Sequence, residues 1–161
     1  MSRCGTIMVD GTYSLYSLGF GIVMDSNFGV DRNYVGKIFL DESMNGGSRQ
    51  FYSEMYAIFA GLGVAARYGI SDLNIVSDCE SLVDMYYSGS KHKNKKSEFY
   101  ISTLRKLLDI YNFEGLTFNW SSSQLNVADN LARSMLSKKG YVDGSYILSG
   151  NLCFVDNLIR V

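Results

Sequence analysis

The sequence predicts an α/β protein built on a mixed five-stranded sheet, three strands antiparallel and two parallel, flanked by helices. Three observations carry that prediction. Residues 3 to 40 alternate or cluster apolar residues between Gly, Asn and Asp turn signals, as a meander of strands does. From about residue 48 the apolar spacing changes to the i, i+3, i+4, i+7 rule of a helix. Beyond it, short apolar runs follow helical segments, an order that favours parallel pairing through right-handed crossovers.

The first three strands are expected over residues 3–10, 19–26 and 33–40, the last two linked by the turn-rich "MDSNFGVDRN". "LDESMNGGSRQ" reads as a loop. Met55, Ile58, Phe59, Leu62 and Ala66 then fall on one face of a helix running to about Tyr68, and Gly69 is placed to end it. "LNIVS", 73–77, is a short buried strand, and "DCESLVDMYYS" a second helix with Asp78 as a candidate N-cap. "GSKHKNKKS", 89–97, reads as a polar loop, Glu98 to Tyr111 as a third helix and "LTFNW", 116–120, as a fifth strand. Val127 to Leu136 form a fourth helix, and the tail from Tyr141 reads as short strands around Ser149-Gly150-Asn151.

Composition narrows the class. The 161 residues suffice for one core, and the formal net charge of −1 offers no global positive field, so nucleic-acid binding would need a local basic patch. Proline is absent and glycine, at sixteen residues, takes over the turns. The three cysteines, Cys4, Cys79 and Cys153, have no paired spacing and read as reduced, buried thiols. No signal-peptide pattern opens the chain, and its longest uncharged central run, Met55 to Ala66, is too short to span a bilayer. A soluble, intracellular, cytoplasmic protein is expected, neither secreted nor membrane-bound.

Four carboxylates occupy unusual places. Asp10 follows the core run "TIMV", Glu54 adjoins the apolar stripe of the first helix, Asp78 follows the fourth strand, and Asp129 lies early in the last helix. Singly, each has a plain explanation: Asp78 as a cap, Asp129 complementing a helix dipole, Glu54 in solvent. Asp10 resists one. If the first and fourth strands are parallel neighbours, Asp10 and Asp78 sit side by side, and their repulsion calls for a cation. Hard divalent ions with oxygen ligands, Mg²⁺ or Mn²⁺, answer that need and recruit phosphate oxygens.

These residues also carry a family resemblance. "IMVDGTY" with its glycine-containing hairpin, "SEMYAIFAGLGVA", "NIVSDCESLV" and "WSSSQLNVADNLA" resemble, in order, four segments of ribonuclease H type 1, the last in the form of its plant and archaeal branches. The resemblance covers residues 3 to about 136. It implies a ribonuclease H-like domain over 1–136, with 137–161 as a C-terminal extension packed on or extending the same domain. It further implies Asp10, Glu54, Asp78 and Asp129 as catalytic ligands of two Mg²⁺ ions, Mn²⁺ also fitting, and cleavage of the RNA strand of RNA–DNA hybrids.

Substrate contacts are expected from Gly11 and Thr12 beside the first aspartate, and from Gln50, which stands near the place of the family's groove-reading asparagines. Phe51 occupies the neighbouring place and lacks an amide. Asn126 is a helix cap or a groove contact. Lys91, Lys93, Lys95 and Lys96 form either a solvated loop or a phosphate-tracking patch. His92 reads as a surface residue and Trp120 as core, while Tyr13 and Tyr16 lie close enough in sequence to Asp10 to touch substrate. The segment Ser121 to Leu125 lacks the histidine of many bacterial members, and the bacterial basic protrusion is not evident. Two other readings stand beside this one: another nuclease of the superfamily, such as a junction resolvase or exonuclease, and a non-catalytic nucleic-acid or protein interaction module on the same fold.

Overall fold

The computed structural model describes residues 2–40, 48–88, 94–122 and 127–161. β1 (Cys4–Tyr13) and β2 (Ser17–Ser26) make the first hairpin, and β3 (Arg32–Phe39) completes an antiparallel meander. The hairpin turn is tighter than the sequence suggests, because the Ser14 N–H donates to the Ser17 carbonyl and the two hydroxyls share a hydrogen bond. The strands therefore run on to Tyr13 and begin again at Ser17. α1 (Arg49–Arg67) then crosses over, and β4 (Asp72–Ser77) pairs in parallel with β1. α2 (Glu80–Ser88) and α3 (Lys95–Tyr111) lead to β5 (Gly115–Trp120), parallel to β4, and α4 (Ala128–Met135) follows.

The sheet has six strands in the order β5-β4-β1-β2-β3-β6, one more than the sequence predicts. The extra strand, β6 (Ile159–Arg160), comes from the tail and pairs antiparallel with β3. The strands expected around residues 149–151 do not form. Asp143 caps a short helix instead, α5 (Gly144–Ser149), by accepting the Ser145 N–H at 2.9 Å, and Gly150 ends it at φ 78°. α6 (Cys153–Asp156) follows. α3 likewise begins earlier than expected, because Asn94 accepts the Ser97 N–H at 2.8 Å and caps it there.

α1 is buried along its whole middle, Ser53 to Ala65, because the sheet, the tail and α3, whose Tyr100 stacks on Phe59, all pack on it. One side lies on the sheet, where a Cβ on Gly61 would meet Ile7 and Val9 at 2.7 and 2.8 Å. Another side carries the tail, where a Cβ on Gly63 would meet the Phe154 ring at 2.5 Å. α4 packs on the opposite face of the sheet against β2, where a Cβ on Gly21 would meet the Ala128 carbonyl. All three cysteines are free, but Cys4 and Cys153 are exposed, against the expectation of burial: Cys4 opens an outer end of β1 and Cys153 starts the surface helix α6. Among the described residues no helix is long and apolar enough to cross a membrane.

Candidate metal centre

The site begins with strand register. β1 and β4 pair in parallel up to Val9 opposite Ser77, so the next residues of the two strands are Asp10 and Asp78. This is the adjacency the sequence requires if the two strands are neighbours. The Cys79 N–H after β4 is taken at 3.1 Å by the Ser77 hydroxyl, and the Asp78 carboxylate turns toward Asp10. Two glycines let the flanking helices close in. A Cβ on Gly11 would lie 2.2 Å from the Ser53 carbonyl oxygen and 2.7 Å from the Glu54 nitrogen, so α1 rests on bare backbone there and delivers Glu54 beside Asp10. Gly21 pairs across the sheet with Asp10, and a Cβ on it would lie 2.6 Å from the Ala128 oxygen. That second close approach brings the first turn of α4, with Asp129, over the same spot.

One oxygen each from Asp10, Glu54 and Asp78 lie within 4.8 Å of one another. Asp10 is 2% and Glu54 5% exposed, and Asp78 is half-buried. Burial, first of all, pushes the Asp10 carboxyl far above the usual carboxylate range; the charge of Glu54 and hydrogen bonds with Asp129, Glu54 and Asp78 push it further. Burial also raises Glu54, and the charge of Asp78 adds to it, while its hydrogen bond with Asp10 works the other way. Both shifts favour the neutral form of these carboxyls when no cation is bound. Asp129 lines the same cavity and is bridged at 3.2 Å by Arg133, one turn along α4.

The donor set fits a hard divalent cation. All its ligand atoms are carboxylate oxygens, and Glu54 Oε2 is buried with no hydrogen-bond partner. A buried carboxylate oxygen left without a partner is costly unless a cation takes it. Such an ion would supply the neutralising charge.

The other residues singled out in the sequence divide. Gly11, Thr12, Tyr13 and Gln50 line the cavity with the four acids and Arg133. Lys95 and Lys96 lie in the first turn of α3 rather than in a loop, and the Lys96 ammonium sits 5.1 Å over the Phe51 ring. Lys91, Lys93, His92 and Asn126 lie outside the described residues. Tyr13 and Tyr16 are exposed in the first hairpin. Trp120, read from the sequence as core, is 52% exposed, and its indole N–H donates to the Asp78 carbonyl at 3.2 Å. The reason is position: β5 is an edge strand, and helix cover ends at Phe118, two residues before it. Sequence reasoning also passed over Arg133, although it stands four residues after Asp129 on a helix, the spacing of an ion pair. Gly11 and Gly21 were legible in principle, because a glycine inside a strand marks a close approach by other backbone.

Comparison with known proteins agrees with this fold. Residues 19–135 match the family described as reverse transcriptase-like. The fold is similar to that of RNase H1 from the halophilic archaeon Halobacterium salinarum NRC-1, with TM-score 0.67 and 20% identity over 83% of this chain and 97% of that one. It is equally similar to the N-terminal RNase H domain of rv2228c from Mycobacterium tuberculosis, with TM-score 0.67 and 20% identity over 83% and 93% of the two chains. LC11-RNase H1 in complex with RNA/DNA hybrid matches with TM-score 0.63 and 16% identity over 83% and 99%. At these identities the likeness is one of fold. None of the curated proteins compared matches the chain.

Proposed function

The chain belongs to the reverse transcriptase-like family of ribonuclease H-fold proteins, and from that membership and the acid cluster we propose a divalent-metal-dependent endoribonuclease that cuts the RNA strand of RNA–DNA hybrids. One observation carries the reading. Three carboxylates, from β1, from α1 and from the link after β4, converge within 4.8 Å at a cavity, and one buried oxygen among them lacks a partner. A fold that needed only stability would not concentrate negative charge in this way. Asp10, Glu54 and Asp78 would hold Mg²⁺ or Mn²⁺, with Asp129 completing the set. When bound, a pair of such ions supplies Lewis acidity at a scissile phosphate and lowers the proton affinity of attacking water.

The chain's own groups supply the rest. Asp10 and Glu54 sit on β1 and α1 and would offer carboxylate oxygens to the cation from fixed positions. Arg133 holds Asp129 in place and adds positive charge beside the phosphate path. Gln50 at the cavity mouth both donates and accepts hydrogen bonds, the pairing that a 2′-hydroxyl takes, and that hydroxyl separates RNA from DNA. Lys96, over the Phe51 ring next to Gln50, and Lys95 beside it offer positive charge to a phosphate backbone; Gly11 and Thr12 line the cavity. The similar LC11 enzyme, seen with an RNA/DNA hybrid, supports the choice of substrate.

The test is direct. Labelled RNA–DNA hybrid, duplex RNA, duplex DNA and a four-way junction are incubated with Mg²⁺ or Mn²⁺ beside the Asp78→Asn variant. Cleavage of the hybrid alone is expected, lost on chelation and in the variant. Cleavage of the junction alone would make the protein a resolvase. No cleavage, with no metal-dependent rise in melting temperature, would make it a non-catalytic module.

A further inference from the structure

Trp120 is the largest side chain near the acid cluster, and the cluster does not use it. Its polar atom is already satisfied, because the indole N–H donates to the Asp78 carbonyl. That bond ties the ring to the backbone of a candidate metal ligand and fixes its orientation, yet half of its surface faces solvent. Tyr87 lies along the same edge of the sheet. Its hydroxyl accepts the Phe118 N–H at 3.0 Å and donates to the Phe118 carbonyl at 2.7 Å, two residues before Trp120, and Tyr87 is 61% exposed. Tyr86 braces the Tyr87 ring edge-on at 4.9 Å. Two aromatic groups, each held by a hydrogen bond to backbone and each largely exposed, thus lie along the edge strand β5, Trp120 at its end beside Asp78 and Tyr87 against Phe118 within it.

We propose that Trp120, continued by Tyr87, is a stacking platform for unpaired bases of a nucleic-acid strand leaving the acid cluster. The proposal rests on the hybrid-nuclease reading and adds to it a preference for hybrids that end in a single-stranded extension. Aromatic faces held rigidly at a strand end take bases that have left a duplex stack, because every base has a π face and stacking needs no sequence match. A base paired inside a duplex has no free face to offer.

The chain contains one tryptophan, so its emission reports on Trp120 alone. The experiment adds blunt RNA–DNA hybrid, the same hybrid with an unpaired extension, and single-stranded oligonucleotide, with Ca²⁺ in place of Mg²⁺. Saturation is followed separately by anisotropy of an end-labelled strand. The extended hybrid is expected to quench the emission and shield it from acrylamide more than the blunt one. Trp120→Leu is expected to weaken binding of the extended hybrid by about 5- to 50-fold with blunt binding unchanged, and Trp120→Phe to keep most of the affinity. Unchanged emission at saturation overturns the proposal, as does equal quenching by blunt and extended hybrids. The wild-type readout needs no variant to fold. Hybrid cleavage with silent emission removes Trp120 from the site and leaves the nuclease reading intact. Quenching by unpaired strands without any cleavage keeps the platform and removes the nuclease.

Discussion

Asp10 shows how one residue can be costly to the fold and necessary to the site. It follows Ile7 and Val9, both fully buried, and shares its surroundings with Glu54 and Asp78. Burial raises both the Asp10 and Glu54 carboxyls above their ordinary values, so the folded chain keeps protons that the unfolded chain releases once pH passes about 4. Under linkage, stability then falls as pH rises from there through neutrality, and it is fully present only below the unfolded value. In the presence of chelator the melting temperature should therefore drop between pH 5 and pH 8. Mg²⁺ should raise it, and more at pH 8 than at pH 5, because the cation competes with protons for the folded carboxylates and that competition weakens as pH rises. A metal-free melting curve flat over that range would show that the carboxylates are not held as the structure has them. Asp10→Asn removes the repulsion and a ligand together. Its metal-free melting temperature at pH 8 should rise, its Mg²⁺ increment should vanish, and cleavage should fall below detection.

The elements put these residues in reach through glycines rather than through polar contacts. Gly21 faces α4 from the position opposite Asp10, and no side chain intervenes between β2 and the helix backbone there. Gly21→Ala would set a methyl group 2.6 Å from the Ala128 oxygen and 2.8 Å from the Ala132 nitrogen, atoms that move only if the helix moves. α4 would lift and draw Asp129 from Asp10. The expected cost is about 1–3 kcal/mol by urea unfolding, with cleavage down by about 10²-fold from the misplacement alone. Unchanged cleavage in a destabilised variant would show that Asp129 is dispensable. The acids and their strands were legible from sequence because a carboxylate ending a β run breaks an otherwise apolar pattern. The strand glycines signalled a close approach, but not which helix makes it. Trp120 was misplaced because alternation along β5 gives the face but not where helix cover stops. The end of the chain was misread for a related reason. Tyr146, Ile147 and Leu148 suit a strand, but the Asp143 cap and the left-handed Gly150 make them a helix.

Across the whole molecule, the tail completes the cover of α1. α1 turns one side to the sheet and another to α3, where Phe59 stacks on Tyr100, and the rest of its far side needs a cover from the tail. Phe154 provides it, fully buried against Gly63, while β6 closes the edge of β3 that would otherwise be open to pairing with another chain. The Arg67–Asp156 ion pair at 2.6 Å is largely exposed and adds little. We therefore take residues 137–161 as an extension of one cooperative unit and not as an appended module. Phe154→Ala should cost about 3–5 kcal/mol in urea, as a buried aromatic does, in one transition with unchanged slope. A separate early transition would instead make the tail a unit of its own. Gly63 lies nine residues beyond Glu54, about 13 Å along the helix axis, so the cavity left by Phe154 opens well away from the carboxylates. Metal-dependent cleavage by the variant, measured well below its melting temperature, should therefore match the wild type. Lost cleavage in a folded Phe154→Ala protein would mean that the tail holds α1 in register for Glu54 and contributes to the site itself.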